Sequence, residues 1–223
     1  MPRTRAARQP APGIKEQLAS LKRDSVLEAA TGLFVRHGYH GCSIDAIAEA
    51  IGVTKPFIYY QFRDKAEILA AICRKGAELT LSAVAEAEAL AGTLESKLNH
   101  FCTRLAEIVI SHQRFLMVYM REVTNLSDEH RHAIVRIRDE IDRRVAKLIT
   151  AGVQTGEFVV PDALIASRAI TGMLSYIYMW HRDADVMPDE ELGRTMASIA
   201  MRTLFPSARE ISEGARRAKP ARQ

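Results

Sequence analysis

Between Ser43 and Lys65 the chain gathers side chains suited to one kind of chemistry. Ser43, Thr54, Tyr59 and Tyr60 carry hydroxyls, Lys55 and Lys65 carry ammonium groups, and Gln61 carries an amide. Hydroxyls and ammoniums hydrogen-bond phosphate oxygens. An ammonium also reaches the O6 and N7 acceptors of guanine, and tyrosine rings pack on thymine methyls or sugars. This is recognition chemistry aimed at a polyanion, not bond making or breaking. The charge distribution agrees with it. Residues 1–65 hold ten Lys/Arg against six Asp/Glu, whereas residues 66–223 hold twenty-one of each. The net charge of +4 therefore sits wholly at the N-terminal end. Taken alone, the charge fits a solubilising basic tail equally well.

Catalytic and metal chemistry have little to work with. No nucleophile elbow, phosphate loop or His-x-x-x-His pair occurs. His130 and His132 lie beside Asp128 and Glu129, but residues two apart on a helix point away from each other. Cys42, Cys73 and Cys102 are odd in number, widely spaced and match no metal pattern, so a reducing cytoplasm is the expected setting. No apolar run approaches the roughly 18 residues of a membrane span, and no apolar stretch behind Met1-Pro2-Arg3 suggests a secretory signal. The expectation is a chain that is no enzyme, needs no cofactor or metal, and has no membrane partner. An all-α enzyme whose groups meet only in space stays the rival reading.

The polar cluster needs elements to hold it. Ile44, Ile47, Ala48 and Ile51 form a short 3.6-period stripe from Ser43 to Gly52. Ser43 suits an N-cap and Asp45 suits the first turn. Gly52 provides a sharp turn, and a second short helix runs from about Thr54 to Phe62, with Pro56 in its first turn. Ile44, Ile47, Ile51, Val53 and Ile58 are expected inside; Thr54, Lys55, Phe57, Tyr59, Tyr60 and Gln61 are left for the outside. A helix of this size fits the major groove of double-stranded DNA, though the same spacing also fits a hairpin inside any α-domain.

The run Phe34-x-x-x-Gly38-Tyr39-x-x-x-Ser43-Ile44-x-x-Ile47-Ala48-x-x-x-Gly52-Val53-x-Lys55-x-x-x-Tyr59-Tyr60-x-Phe62-x-x-Lys65-x-x-Ile68-Leu69 resembles the DNA-binding domain of the TetR family. The likeness covers roughly residues 22–70. It implies a three-helix DNA-binding head, a connecting fourth helix, an all-α ligand-binding body and a homodimer. On matching positions it implies DNA contacts from Ser43, Thr54, Lys55, Tyr59, Tyr60 and Lys65. Pro56 and Phe57 depart from the small or polar residues common in the family, glycine at the first. A non-specific architectural DNA binder is the second reading.

Around this motif nearly everything reads as helix, about nine in all, with no period-two alternation. The fold class is therefore all-α. Residues 1–20, with three prolines and four basic residues, read as a flexible arm, and residues 207–223 as a second basic tail. The head is expected over 21–65 and the ligand-binding and dimerisation domain over 66–206. Asp64 and Glu67 resemble a capping box opening a long Ala-rich helix to about Gly92. A strongly apolar helix runs from about Asp162 to His181, Asp183 to Met187 is a loop, and a last helix runs from Pro188 to Phe205.

Two sites are expected in the body. Phe101, Phe115, Tyr119, Met120, Met173, Tyr176 and Trp180 suit an apolar pocket for a small-molecule effector, although each is also an ordinary core residue. Arg121, Arg168 and Arg182 are near enough to hold an anion. The segment Tyr178-Met179-Trp180-His181-Arg182, followed by Pro188 and a final helix, is similar to family members that sense acyl-CoA thioesters. Ala169, Gly172, Met196, Ile199, Ala200 and Thr203 on the last two helices are assigned to the dimer face that the resemblance implies.

Overall fold

The computed structural model describes residues 14–182 and 187–205. These residues form ten α-helices and a single 3-10 turn, and no strand. They fall into two compact units that divide between Ile68 and Leu69.

The first unit holds α1 (Ile14–His37), α2 (Ile44–Ala50), α3 (Lys55–Gln61) and the first turn of α4 (Lys65–Ala89). Val26, Leu27, Ala30 and Phe34 of α1, Ile44, Ile47 and Ala48 of α2, and Ile58 of α3 are all buried, with α1 packed against α2 and α2 against α3. Gly38, at φ 73°, ends α1 with its N–H on the Phe34 carbonyl. The arm is shorter than its composition suggested, because Ile14–Ser20 already belong to α1. Past Pro12 and Gly13 nothing in Lys15-Glu16-Gln17-Leu18-Ala19 breaks a helix, and these types favour one. Residues 1–13 and the expected tail at 207–223 lie outside the described residues, as does most of the expected loop at 183–187.

The second unit continues α4 and adds α5 (Leu94–Ser111), α6 (Gln113–Glu122), a 3-10 turn at Val123–Asn125, α7 (Asp128–Thr155), α8 (Ala163–Ser175), α9 (Ile177–Trp180) and α10 (Asp189–Arg202). Thr93, Ser127 and Asp162 cap α5, α7 and α8 by accepting backbone N–H groups. Phe101, Leu105, Val145, Ile149, Phe158, Ile170, Leu174 and Ile177 form the centre of its core. The apolar run expected as one helix is two. The ladder breaks at Tyr176, whose N–H bonds the Gly172 carbonyl, and α9 then buries Ile177 and Tyr178. A run apolar on every side carries no periodic mark of such a break. No helix among the described residues is long and apolar enough to cross a membrane. All three cysteines are buried and free, and burial pushes the Cys73 and Cys102 thiols up to about 12.

Candidate nucleic-acid interface and cavity

The first unit presents α3 on a locked scaffold. Gly52, at φ 66°, makes the turn after α2. Its N–H bonds the Glu49 carbonyl and that of Val53 bonds the Ala48 carbonyl. This pair of bonds is a Schellman cap, and it needs the left-handed conformation that glycine adopts at little cost. At the other end of α2 the Ser43 hydroxyl accepts the Ala46 N–H at 3.1 Å. Of the seven residues of α3 only Ile58 is buried. Thr54, Lys55, Tyr59 and Tyr60 are exposed, Tyr60 by 85%. A solvent-facing tyrosine pair on a helix anchored through one isoleucine is a surface built to touch something else.

Three charged contacts hold this surface. Lys55 Nζ meets Asp45 Oδ2 of α2 at 2.8 Å, and that bond raises the lysine above its usual value, keeping it charged. Arg23 of α1 donates to the Gln61 carbonyl at the end of α3 and stacks 3.8 Å from the centre of the Phe62 ring. Lys65 donates to the Tyr39 carbonyl at 2.9 Å and the Cys42 carbonyl at 2.7 Å, with its ammonium 4.4 Å from the centre of the Tyr39 ring. Lys65, expected to contact DNA, is half-buried and uses two of its N–H groups to brace the α1–α2 turn. The expected box at the start of α4 does form. Asp64 accepts the Glu67 N–H, which holds its carboxyl below the usual range, and Glu67 reaches back to the Arg63 N–H.

The second unit holds a cavity of about 560 Å³, partly open to solvent and within the size range of small-molecule sites. Ile72 of α4, Leu105, Ile108 and Val109 of α5, and Ile141 of α7 make an apolar floor. Arg138 and Arg168 add positive charge to the wall, and Asp139 and Asp142 add negative charge. Arg138 donates to the Tyr119 hydroxyl at 3.2 Å, and Arg168 Nε meets Asp142 Oδ2 at 3.2 Å. Among the described residues no group of three or more His, Cys, Asp or Glu side chains is placed to hold a metal.

Residues 26–72 match the family model "Bacterial regulatory proteins, tetR family", and residues 91–204 match "Tetracyclin repressor-like, C-terminal domain". The chain belongs to the TetR family. It is thereby a DNA-binding transcriptional regulator and not an enzyme. It is 31% identical over 75 residues to the transcriptional repressor AcnR of Corynebacterium diphtheriae, an alignment covering 34% of this chain and 40% of that one. The match thus spans less than half of that relative. The TetR-family regulator PfmR of Thermus thermophilus superposes with TM-score 0.72 at 28% identity, covering 79% of this chain and 97% of that one. AibR, solved with isovaleryl coenzyme A and operator DNA, superposes with TM-score 0.67 at 22% identity, covering 83% and 98%; that likeness speaks for the fold.

Set against this TetR fold, the expected body residues divide. Phe115, Tyr119, Met120 and Tyr176 line the cavity. Phe101 does not, because it is fully buried in the core one turn before the α5 residues that reach the floor. Met173 packs against that core as well, and Trp180 is exposed beyond the break at Tyr176. Of the three arginines only Arg168 is at the wall. Arg138, Asp139 and Asp142 were missed because α7 shows an amphipathic pattern, and its polar face reads as solvated. On the expected dimer face Ala169, Gly172, Ile199 and Thr203 are exposed. Ala200 is a correction. It is fully buried, on the stripe by which α10 packs against α5. Met196 is half-buried on the same side. Along the chain Asp45 reads only as a first-turn acid and nothing singles out Arg23, because their partners are 10 and 38 residues away.

Proposed function

We propose that this regulator is a homodimeric repressor that a small-molecule effector, bound in the cavity of the second unit, releases from a palindromic operator. The observation that carries the reading is α3, which buries Ile58 alone and leaves Lys55, Tyr59 and Tyr60 exposed, as are Thr54 at its start and Ser43 at the start of α2. These five residues make the DNA contacts. Lys65 supports the surface from behind. Two such helices in a dimer, about 34–36 Å apart, meet successive major grooves, so the operator has two-fold symmetry. Exposed Ile165, Ala169 and Ile199 on α8 and α10 support the pairing of two copies. Repression follows the relative AcnR. A regulator of this kind works where the DNA is, in the cytoplasm.

The effector has an apolar part and an anionic part, acyl-CoA being one such molecule, as AibR binds. The apolar floor takes the first part, and Arg138 and Arg168 face the second. Cavity residues Ile72, Cys73 and Gly76 belong to α4, the helix that begins with Lys65, so an effector that shifts α4 changes how the two heads present α3. Coupling of about 1–3 kcal/mol, or 5- to 150-fold in operator affinity, is the ordinary size of such an effect.

Footprinting the full chain on duplexes enriched from a random pool tests the reading. A single short palindrome protected by a dimer is expected. Uniform coating of any duplex means an architectural DNA binder instead. Adding isovaleryl coenzyme A or a free fatty acid to the same footprint identifies the effector class by loss of protection.

A further inference from the structure

The sequence of α3 is Lys-Pro-Phe-Ile-Tyr-Tyr-Gln, so Lys55 is its one formal charge. That charge is already matched. Asp45, in the first turn of α2, sits 2.8 Å from the ammonium, and both side chains are solvent-facing, Lys55 by 47% and Asp45 by 67%. An exposed pair of this kind contributes little to folding. Its lysine stands, however, on α3 itself, where Thr54, Tyr59 and Tyr60 are also exposed. An acid there opposes every phosphate of every DNA sequence, and binding that is blind to sequence rests almost wholly on neutralising phosphates. An ammonium has three donors. One is held by Asp45, and two remain for acceptors set in a fixed direction.

We propose that Asp45 is a specificity-determining residue, which withholds the Lys55 charge from phosphates while aiming its remaining N–H groups at base edges. The proposal rests on the reading that α3 binds DNA. It makes α3 a neutral reader whose hydrogen bonds depend on the right acceptor being present, such as guanine O6 and N7. Freed from Asp45, Lys55 would become one more non-specific phosphate anchor.

The test uses the full chain and four variants, Asp45→Asn, Asp45→Glu, Lys55→Met and the double substitution of Asp45→Asn with Lys55→Met. Binding is measured by fluorescence anisotropy on two duplexes, one enriched from a random pool by the unaltered chain and one unrelated of equal length. Salt is varied from about 50 to 200 mM. For Asp45→Asn the slope of non-specific binding against log salt should steepen by about 0.9 per head, the value of one added phosphate contact. The ratio of specific to non-specific affinity should fall about tenfold. In the Lys55→Met background the same change should leave that ratio alone. Asp45→Glu, which keeps the charge, should keep both slope and ratio.

An unchanged ratio in Asp45→Asn overturns the proposal. So does an equal fall in the Lys55→Met background, because Asp45 would then act by repulsion alone. A chain that enriches no duplex at all fails earlier, at the reading of α3 as a DNA-binding helix.

Discussion

Replacing Lys65 by Met keeps the length of the side chain and deletes its charge. In the structure this removes two hydrogen bonds, 2.9 Å to the Tyr39 carbonyl and 2.7 Å to the Cys42 carbonyl. Bonds to a charged donor contribute about 1.5–3 kcal/mol each. The site is half-buried, so water reaches the freed carbonyls and both bonds fall at the low end. The loss comes to about 3 kcal/mol, which is a change of about 140-fold in the opening equilibrium at 1.4 kcal/mol per tenfold. Amide hydrogen exchange of the full chain reads this directly. Peptides covering the α1–α2 turn and α2 should exchange faster by about that factor, and peptides of α5 and α10 should not change. The experiment needs no DNA, and for that reason it separates a brace from a phosphate contact. Unchanged exchange in the head, with affinity lost for all duplexes and a shallower salt slope, would refute the brace and restore Lys65 to the DNA surface.

Tyr60→Ala removes a ring that is 85% exposed, so its thermal midpoint should match the unaltered chain while operator affinity drops about tenfold, or 1.4 kcal/mol; a lowered midpoint would make Tyr60 structural. Gly152→Ala would place a Cβ 1.9 Å from Phe158 Cδ2 at the end of α7. Urea unfolding should show a loss of about 1–3 kcal/mol, the usual penalty for overpacking, and an unchanged midpoint would mean that Phe158 moves freely. Glu88, hydrogen-bonded to Arg144, is held below its usual value of 4.5. A depressed carboxyl contributes stability above its unfolded value and loses it as pH falls through its folded value. Glu88→Gln should therefore melt lower than the unaltered chain at neutral pH, with a gap that narrows below pH 4.5 and closes in stronger acid. A gap constant with pH would assign the loss to packing.

Much of the head is legible in the chain because its determinants are local. A Ser N-cap, a glycine at the turn after α2, which needs positive φ, and isoleucines three and four residues apart are all readable within ten positions. The cap and the glycine are where expected and Ile44, Ile47 and Ile58 are buried, whereas Ile51 and Val53, expected inside, are only half-buried at the turn. The cavity was half legible. Phe115, Tyr119, Met120 and Tyr176 follow from being large and adaptable on candidate helices. Phe101 and Trp180 have the same composition cue and lie elsewhere, since the cue does not say which way a helix is turned.

The cluster from Ser43 to Lys65 shows where the division falls. By itself the sequence determined that a short helix would carry hydroxyls, a lysine and two tyrosines outward, because periodicity alone separates the buried Ile58 from its neighbours. It also determined an all-α chain whose basic excess lies at one end. Tertiary structure decided what the charges do. Lys55 faces Asp45 and Lys65 faces two carbonyls, although both are lysines in the same motif. An ammonium on four flexible carbons takes the nearest acceptor in space. Which acceptor that is depends on how α1, α2, α3 and α4 are brought together, and no spacing along the chain encodes it.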